Sequence, residues 1–213
     1  MYIPKLFAQQ DQAALEALIR NHPLATVVVN TQAGLSANHI PLRLTRSASS
    51  QLILQGHLAK ANPMRKERLS DDVLAIFHGA DAYISPNWYQ TKQEHGKVVP
   101  TWNYVTVHAS GTIRYIDDDD WKLDFLHHLT DEQEASQGKP WSINDAPSDY
   151  TEKMLGAISG FEIEVVDLKG KWKASQNQPE CNLQGVVEGL SASPDGRARE
   201  FAELMQSGSP KKS

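Results

Sequence analysis

Apolar residues recur in short alternating or unbroken runs over the first 116 positions, and mostly at helical spacing after them. The run LATVVV at 24–29 predicts a buried strand. In HIPLRL at 39–44, Ile40, Leu42 and Leu44 alternate with His39, Pro41 and Arg43, which predicts a second. QLILQGH at 51–57 and DVLAIFHG at 72–79 predict two more, and YVTVHASGTIRYI at 104–116 predicts a longer strand bulged near Gly111. A sixth, FEIEVVDL at 161–168, turns Phe161, Ile163 and Val165 to one face and Glu162 and Glu164 to the other. Helical stripes are expected at 10–20 through Leu15, Leu18 and Ile19, and after Asp117–Asp120 through Trp121, Phe125, Leu126 and Leu129. Three more run through Tyr150, Met154, Leu155 and Ile158, through Leu183, Val186, Val187 and Leu190, and, after a Ser193-Pro194 cap, through Phe201, Leu204 and Met205. The strands follow one another through short turns with one helical piece among them. That order predicts an α+β fold, an antiparallel sheet or small barrel with helices packed outside.

Composition narrows the class. A chain of 213 residues, 40% apolar and 22% charged, is long enough to bury a core without disulfide or metal. The formal charge of −5 argues against a protein that coats nucleic acid. One cysteine, Cys181, excludes an internal disulfide and a cysteine-rich zinc site. No stretch has the unbroken apolar length of a membrane span, and MYIPKLFAQQDQ lacks the apolar centre of a signal peptide. The expectation is a soluble, cytoplasmic domain whose tail, SGSPKKS, frays.

Chemistry-bearing motifs are few. Dinucleotide, P-loop, zincin and nucleophile-elbow signatures are absent, and the eight histidines form no ligand pattern, so no metal site is expected. The acidic run Asp117–Asp120 reads as a solvated helix start that complements the helix dipole. Three segments stand out. In LQGHLAKANPMRKERL at 54–69, a strand ends at His57, Lys60 follows, and Asn62-Pro63 predicts a helix start with Arg65, Lys66 and Arg68 close behind. Cations there oppose the helix dipole unless an anion binds, and an ordinary solvated basic helix is the competing reading. The loop at 82–104 carries Tyr83, Trp88, Tyr89, Trp102 and Tyr104, which could face a planar ligand or roof a core. LKGKWKASQNQPE at 168–180 sets Lys171 and Lys173 around Trp172 and adds Ser175, Gln176 and Asn177 as neutral donors and acceptors.

Taken in order, MYIPKLF, HIPL at 39–42, HLAKANP at 57–63, YISPNWY at 83–89, VPTWNYVTVH at 99–108 and GKWKASQN at 170–177 resemble the motif series of the PaiB family. These are FMN-binding split-barrel flavoproteins, some described as negative transcriptional regulators. Lys60 stands where arginine is commoner, with the charge kept. The resemblance spans about residues 1–190, leaving 191–213 as a C-terminal helix and tail. It implies a six-stranded antiparallel split β-barrel with peripheral helices, a homodimer, and FMN near the dimer interface. The flavin would be held by His39, His57, Lys60, Ala61, Asn62, Ser85, Trp88, Tyr89, Thr101, Trp102, Asn103, Tyr104, Lys173, Ser175 and Gln176. Within that set Lys60 is expected at the phosphate with His57 donating to it, and Thr101–Tyr104 with Ser175 and Gln176 at the ring or ribityl chain. The activity is then a flavin-dependent oxidoreductase or a flavin-responsive regulator. The alternatives are a repressor acting through DNA or a partner, and a haem-binding or haem-degrading barrel using His39, His57 or His108. Direct duplex binding is not expected, since no helix-turn-helix with a basic recognition helix is evident.

Overall fold

The structure, a computed structural model, describes residues 1–208; the rest of the predicted tail lies outside the described residues. In chain order the elements are β1 (Ala8–Gln9), α1 (Gln12–Asn21), β2 (Leu24–Thr31), β3 (Gly34–Pro41), β4 (Arg43–Arg46), β5 (Leu52–Ala59), α2 (Met64–Glu67) and β6 (Arg68–Ile84). They continue with α3 (Lys92–His95), β7 (Thr101–Ile116), α4 (Asp119–Glu134), α5 (Ser148–Ala157), β8 (Ile158–Lys173), α6 (Glu180–Ser191) and α7 (Gly196–Gly208). The α+β class holds, and the strands form one antiparallel sheet in the order β3-β2-β6-β7-β8-β5-β4, with β1 added beside β8.

The sheet has eight strands, not the expected six. One extra comes from HIPLRL, which is two strands: β3 ends at Pro41, buried Leu42 turns the chain, and β4 starts at Arg43. The other is the two-residue β1, too short to carry a pattern. The first half of β3, GLSAN, has no buried residue and so no alternation to read.

The chain divides into two compact units. One comprises His22–Phe77 and His108–Leu168. In it, Thr26, Val27, Val28 and Val29 of β2 pair with Ile76, Ala75, Leu74 and Val73 of β6, and β5 pairs with β8 from Ile53↔Glu164 to Ala59↔Ile158. Val27, Leu54, Phe77, Phe161 and Ile163 are at most 0% exposed and make its core, each burial contributing about 1.5–3 kcal/mol. Helix α4 lies over Gly160 through Trp121, which stacks on Phe125 at 5.4 Å.

The acidic run opens α4 as expected, and three of its members have distinct partners. Asp118 accepts the Trp121 N–H at 2.7 Å as N-cap, Asp119 pairs with Lys122 at 2.5 Å, and Asp117 pairs with Arg65 at 2.7 Å.

The other unit comprises Met1–Asn21, His78–Val107 and Lys169–Ser213. Leu15, Leu18 and Ile19 bury the inner face of α1, and α7 packs on α6 with Val186, Leu190, Phe201 and Met205 buried. The long loop expected at 82–104 is shorter, because β6 runs to Ile84 and β7 starts at Thr101. No helix among the described residues is long and apolar enough to cross a membrane.

Candidate functional site

In the unit of residues 22–77 and 108–168, β5 leads into the HLAKANP segment. The helix expected at Asn62-Pro63 is a single turn, with Pro63 at its cap position and Met64 buried beneath it. Its first N–H is already taken: Asn62 Oδ1 accepts from Met64 N at 2.9 Å, while Asn62 Nδ2 donates to Asn38 Oδ1 at 2.9 Å. Two of the three cations that follow, Arg65 and Arg68, are engaged as well. Arg65 holds Asp117 with both terminal nitrogens at 2.9 and 2.7 Å and also reaches Ser159 Oγ at 3.1 Å. Arg68 binds Asp71 at 2.7 Å, and both guanidinium groups lie over the Tyr115 ring, at 5.4 Å for Arg65 and 4.8 Å for Arg68. Arg65 and Ser159 hold the Asp117 carboxyl below the usual carboxylate range.

Lys60 differs. It is exposed, its N–H is fixed to Ala157 O at 2.9 Å, and its ammonium has no ion-pair partner among the described residues. Ala61 beside it is exposed as well. His57 packs edge-on against Phe125 at 5.8 Å, with Nδ1 buried and without a partner among the described residues. Burial lowers its pKa. His39 is exposed on β3, its Nδ1 3.1 Å from Thr26 Oγ1.

In the unit of residues 1–21, 78–107 and 169–208, strands β7 and β8 bring the TWN and KWKASQ segments together. Lys173 donates to Thr101 Oγ1 at 2.5 Å and to the Trp102 carbonyl; burial, and then Lys171, lower its pKa. Trp102 is 54% exposed and meets Tyr83 edge-to-face at 6.0 Å. Lys171 places its ammonium 5.1 Å from the Tyr104 ring. Asn103 is fully buried and donates to Ser175 Oγ at 2.8 Å. Ser175 sits at a φ of 61, which only this closed turn justifies for a side-chain-bearing residue. Gln176 closes it, accepting from Ala174 N at 2.7 Å and donating to Trp172 O at 2.6 Å. Tyr89 is buried, with Ser175 as a hydrogen-bond partner. Ser85 caps the following 3-10 turn by accepting from Asn87 N at 3.2 Å. Trp88 lies across Gly185 and Gly189 of α6, where no side chain would fit.

Of the expected residues, then, Lys60, Ala61 and His39 in one unit and Trp102 in the other present exposed surface. His57, Trp88, Asn103, Ser175 and Gln176 hold local structure. Sequence reasoning missed Asn38 and Asn182. Asn182 is 2% exposed, accepts from Thr91 N at 3.2 Å and donates to Gln178 Oε1 at 2.9 Å, so it ties the aromatic loop to α6. An asparagine among the apolar residues of a helical stripe was the available signal. Among the described residues no group of three His, Cys, Asp or Glu side chains could hold a metal ion.

The model of the family described as "Putative FMN-binding domain" matches residues 1–167. The chain is 31% identical over 207 residues to protease synthase and sporulation protein PAI 2 of Bacillus subtilis (strain 168), with 97% of each chain covered. It is 32% identical over 226 residues to an uncharacterized protein of Emericella nidulans, covering 89% of this chain and 90% of that one. Among solved structures, the flavocytochrome Anf3 from Azotobacter vinelandii superposes with a TM-score of 0.57 at 16% identity, over 80% of this chain and 72% of that one. The FAD and heme binding protein from Mycobacterium smegmatis gives 0.55 at 17% identity, over 78% and 73%. At such identities these two bear on the fold alone, and they agree with a split barrel. Family model and full-length relative together carry the assignment: the chain belongs to the PaiB family of FMN-binding split-barrel proteins, and FMN is its cofactor.

Proposed function

We propose that the protein works as a cytoplasmic FMN-dependent homodimer of oxidoreductase type in which Lys60 takes the FMN phosphate. One observation carries the phosphate assignment. In a segment where Arg65 and Arg68 are both engaged by carboxylates, Lys60 and Lys66 keep exposed ammonium groups with no ion-pair partner among the described residues, and of the two Lys60 directly follows strand β5. The residue present fits such a group: an exposed ammonium outside any ion pair among the described residues suits a phosphate. Bound FMN supplies two-electron redox chemistry; the chain's part is to anchor it and shape its surroundings. The dimer rests on a second observation. Tyr83 and Trp102, in edge-to-face contact, are 48% and 54% exposed, an aromatic surface that a two-fold partner would cover.

Direct repression through DNA has less support, because the basic residues Arg65 and Arg68 are already paired and the chain carries −5. The test is an absorbance spectrum of the purified protein before and after FMN is added, with light scattering on the same sample. A flavin spectrum on a particle of twice the chain mass is expected. A dimer that takes up haem with a Soret band while leaving FMN unbound would overturn the oxidoreductase reading, and a clean monomer would overturn the dimer.

A further inference from the structure

Away from the segments discussed so far, strands β4, β5, β8 and β7 carry a polar groove of about 410 Å³ within the unit of residues 22–77 and 108–168. That volume lies in the range of small-molecule sites. One bank is a continuous hydrogen-bonded row across the four strands. Arg43 is held by Glu132 at 2.7 Å and donates to Gln55 Oε1 at 3.1 Å; Gln55 donates to Glu162 Oε1 at 3.0 Å; Arg114 closes the row on the other Glu162 oxygen. The row fixes Glu162 and Arg114 in place before any ligand arrives. Arg114 nonetheless remains 70% exposed, and a guanidinium has five N–H groups, so most of its donors are open to the groove.

The adjacent row has the opposite character. Thr45, Ile53 and Glu164 lie side by side across β4, β5 and β8. Glu164 is exposed and its carboxylate has no hydrogen-bond or ion-pair partner among the described residues, and Ile53 between it and Thr45 is an apolar floor, 9% exposed. The far end is closed by the turn after β4, where Arg46 donates to Ser50 O at 2.9 Å and Ser47 and Ser49 share a 2.8 Å bond.

This charge inventory selects its ligand. A simple anion meets Glu162 and Glu164, and a simple cation meets Arg46 and Arg114. A molecule with one charge of each sign meets a partner for both. Arg114 bonds Glu162, and Glu164 lies two residues further along the same strand, so Arg114 and Glu164 are diagonal neighbours across adjacent strands, about 7–8 Å apart, a span that a compact zwitterion with a hydrogen bond at each end can bridge. We propose that this groove binds a small zwitterion of the α-amino-acid type, its ammonium on Glu164, its carboxylate on Arg114 and its side chain over Ile53.

The test is an NMR titration of the FMN-loaded protein with L-alanine as probe, and with acetate and methylammonium as single-charge controls. L-alanine should shift the amides around Thr45, Ile53 and Glu164, and the controls should not. Both charged residues are exposed, so Glu164→Gln and Arg114→Gln should fold, take up FMN as the unaltered protein does, and bind L-alanine at least about tenfold more weakly. Absence of shifts up to about 100 mM L-alanine, a concentration at which even very weak sites fill, would overturn the proposal. So would equal shifts from acetate or methylammonium, or variants that bind L-alanine as well as the unaltered chain.

Discussion

The ammonium of Lys122 lies 2.8 Å from the carbonyl oxygen of Leu155, and through that bond α4 holds the last turn of α5. Lys122 is fully buried, with Asp119 at 2.5 Å as counter-charge. A helix C-terminus leaves carbonyls without intrahelical donors, and a cation placed there satisfies one of them while complementing the dipole. Replacing Lys122 with Met keeps the packing volume and removes the charge-assisted bond. Urea denaturation should then report a loss of about 1.5–3 kcal/mol. An unchanged midpoint would mean that Leu155 is adequately satisfied by its backbone donor alone.

The indole of Trp88 rests on α6 because Gly185 and Gly189 have no side chains. A methyl at Gly185 would run into the backbone carbonyl of Trp88, which cannot turn aside as a side chain could. Gly185→Ala is expected to cost about 1–3 kcal/mol by overpacking. Gly156, inside α5 with open space around it, supplies the contrast: Gly156→Ala should stabilise by about 0.5–1 kcal/mol through helix propensity. Thermal melts of both variants, moving in opposite directions, check the pair.

These two cases mark what the sequence could reveal. Period-two and period-3.6 patterns located the buried strands and every long helix, because burial of Val27, Phe161 or Leu190 leaves a readable imprint. The Gly185/Gly189 spacing leaves none, since a glycine that admits an indole looks like a glycine that weakens a helix. Among candidate site residues, type and neighbourhood were legible while partners were not. Arg65 and Lys60 both read as cations near a turn, and only the structure separates them, by placing Asp117 against the first. Asn103 and Ser175 read as ligand donors, yet they bond each other across 72 positions of sequence.

His57 makes stability depend on pH. Its ring is packed on Phe125 with Nδ1 buried and without a partner among the described residues, and burial lowers its pKa below the ordinary 6.5. The unfolded chain therefore binds the proton first as pH falls. The contribution of the neutral ring is full above pH 6.5 and is lost progressively below it, until the folded-state pKa is passed. The slope cannot exceed about 1.4 kcal/mol per pH unit for one group. Denaturation series between roughly pH 7 and 5 should show this decline in the unaltered protein and a shallower one in His57→Gln. Parallel declines would assign the acid sensitivity to other groups.

Lys60 offers the most discriminating measurement. Its ammonium is exposed and has no ion-pair partner among the described residues, so removing it leaves no buried partner stranded and should barely change folding. If it meets the FMN phosphate, Lys60→Ala should weaken FMN binding by about 1.5–3 kcal/mol, the range for a hydrogen bond to a charged group. Riboflavin carries the same ring and ribityl chain without the phosphate, and its affinity should stay nearly constant. Raised salt should weaken FMN binding to the unaltered protein and leave Lys60→Ala less responsive, since screening acts on exposed charges. Equal losses for FMN and riboflavin would place Lys60 in support of the ring pocket, and no loss for either would make it a solvated surface lysine; both results would remove it from the phosphate.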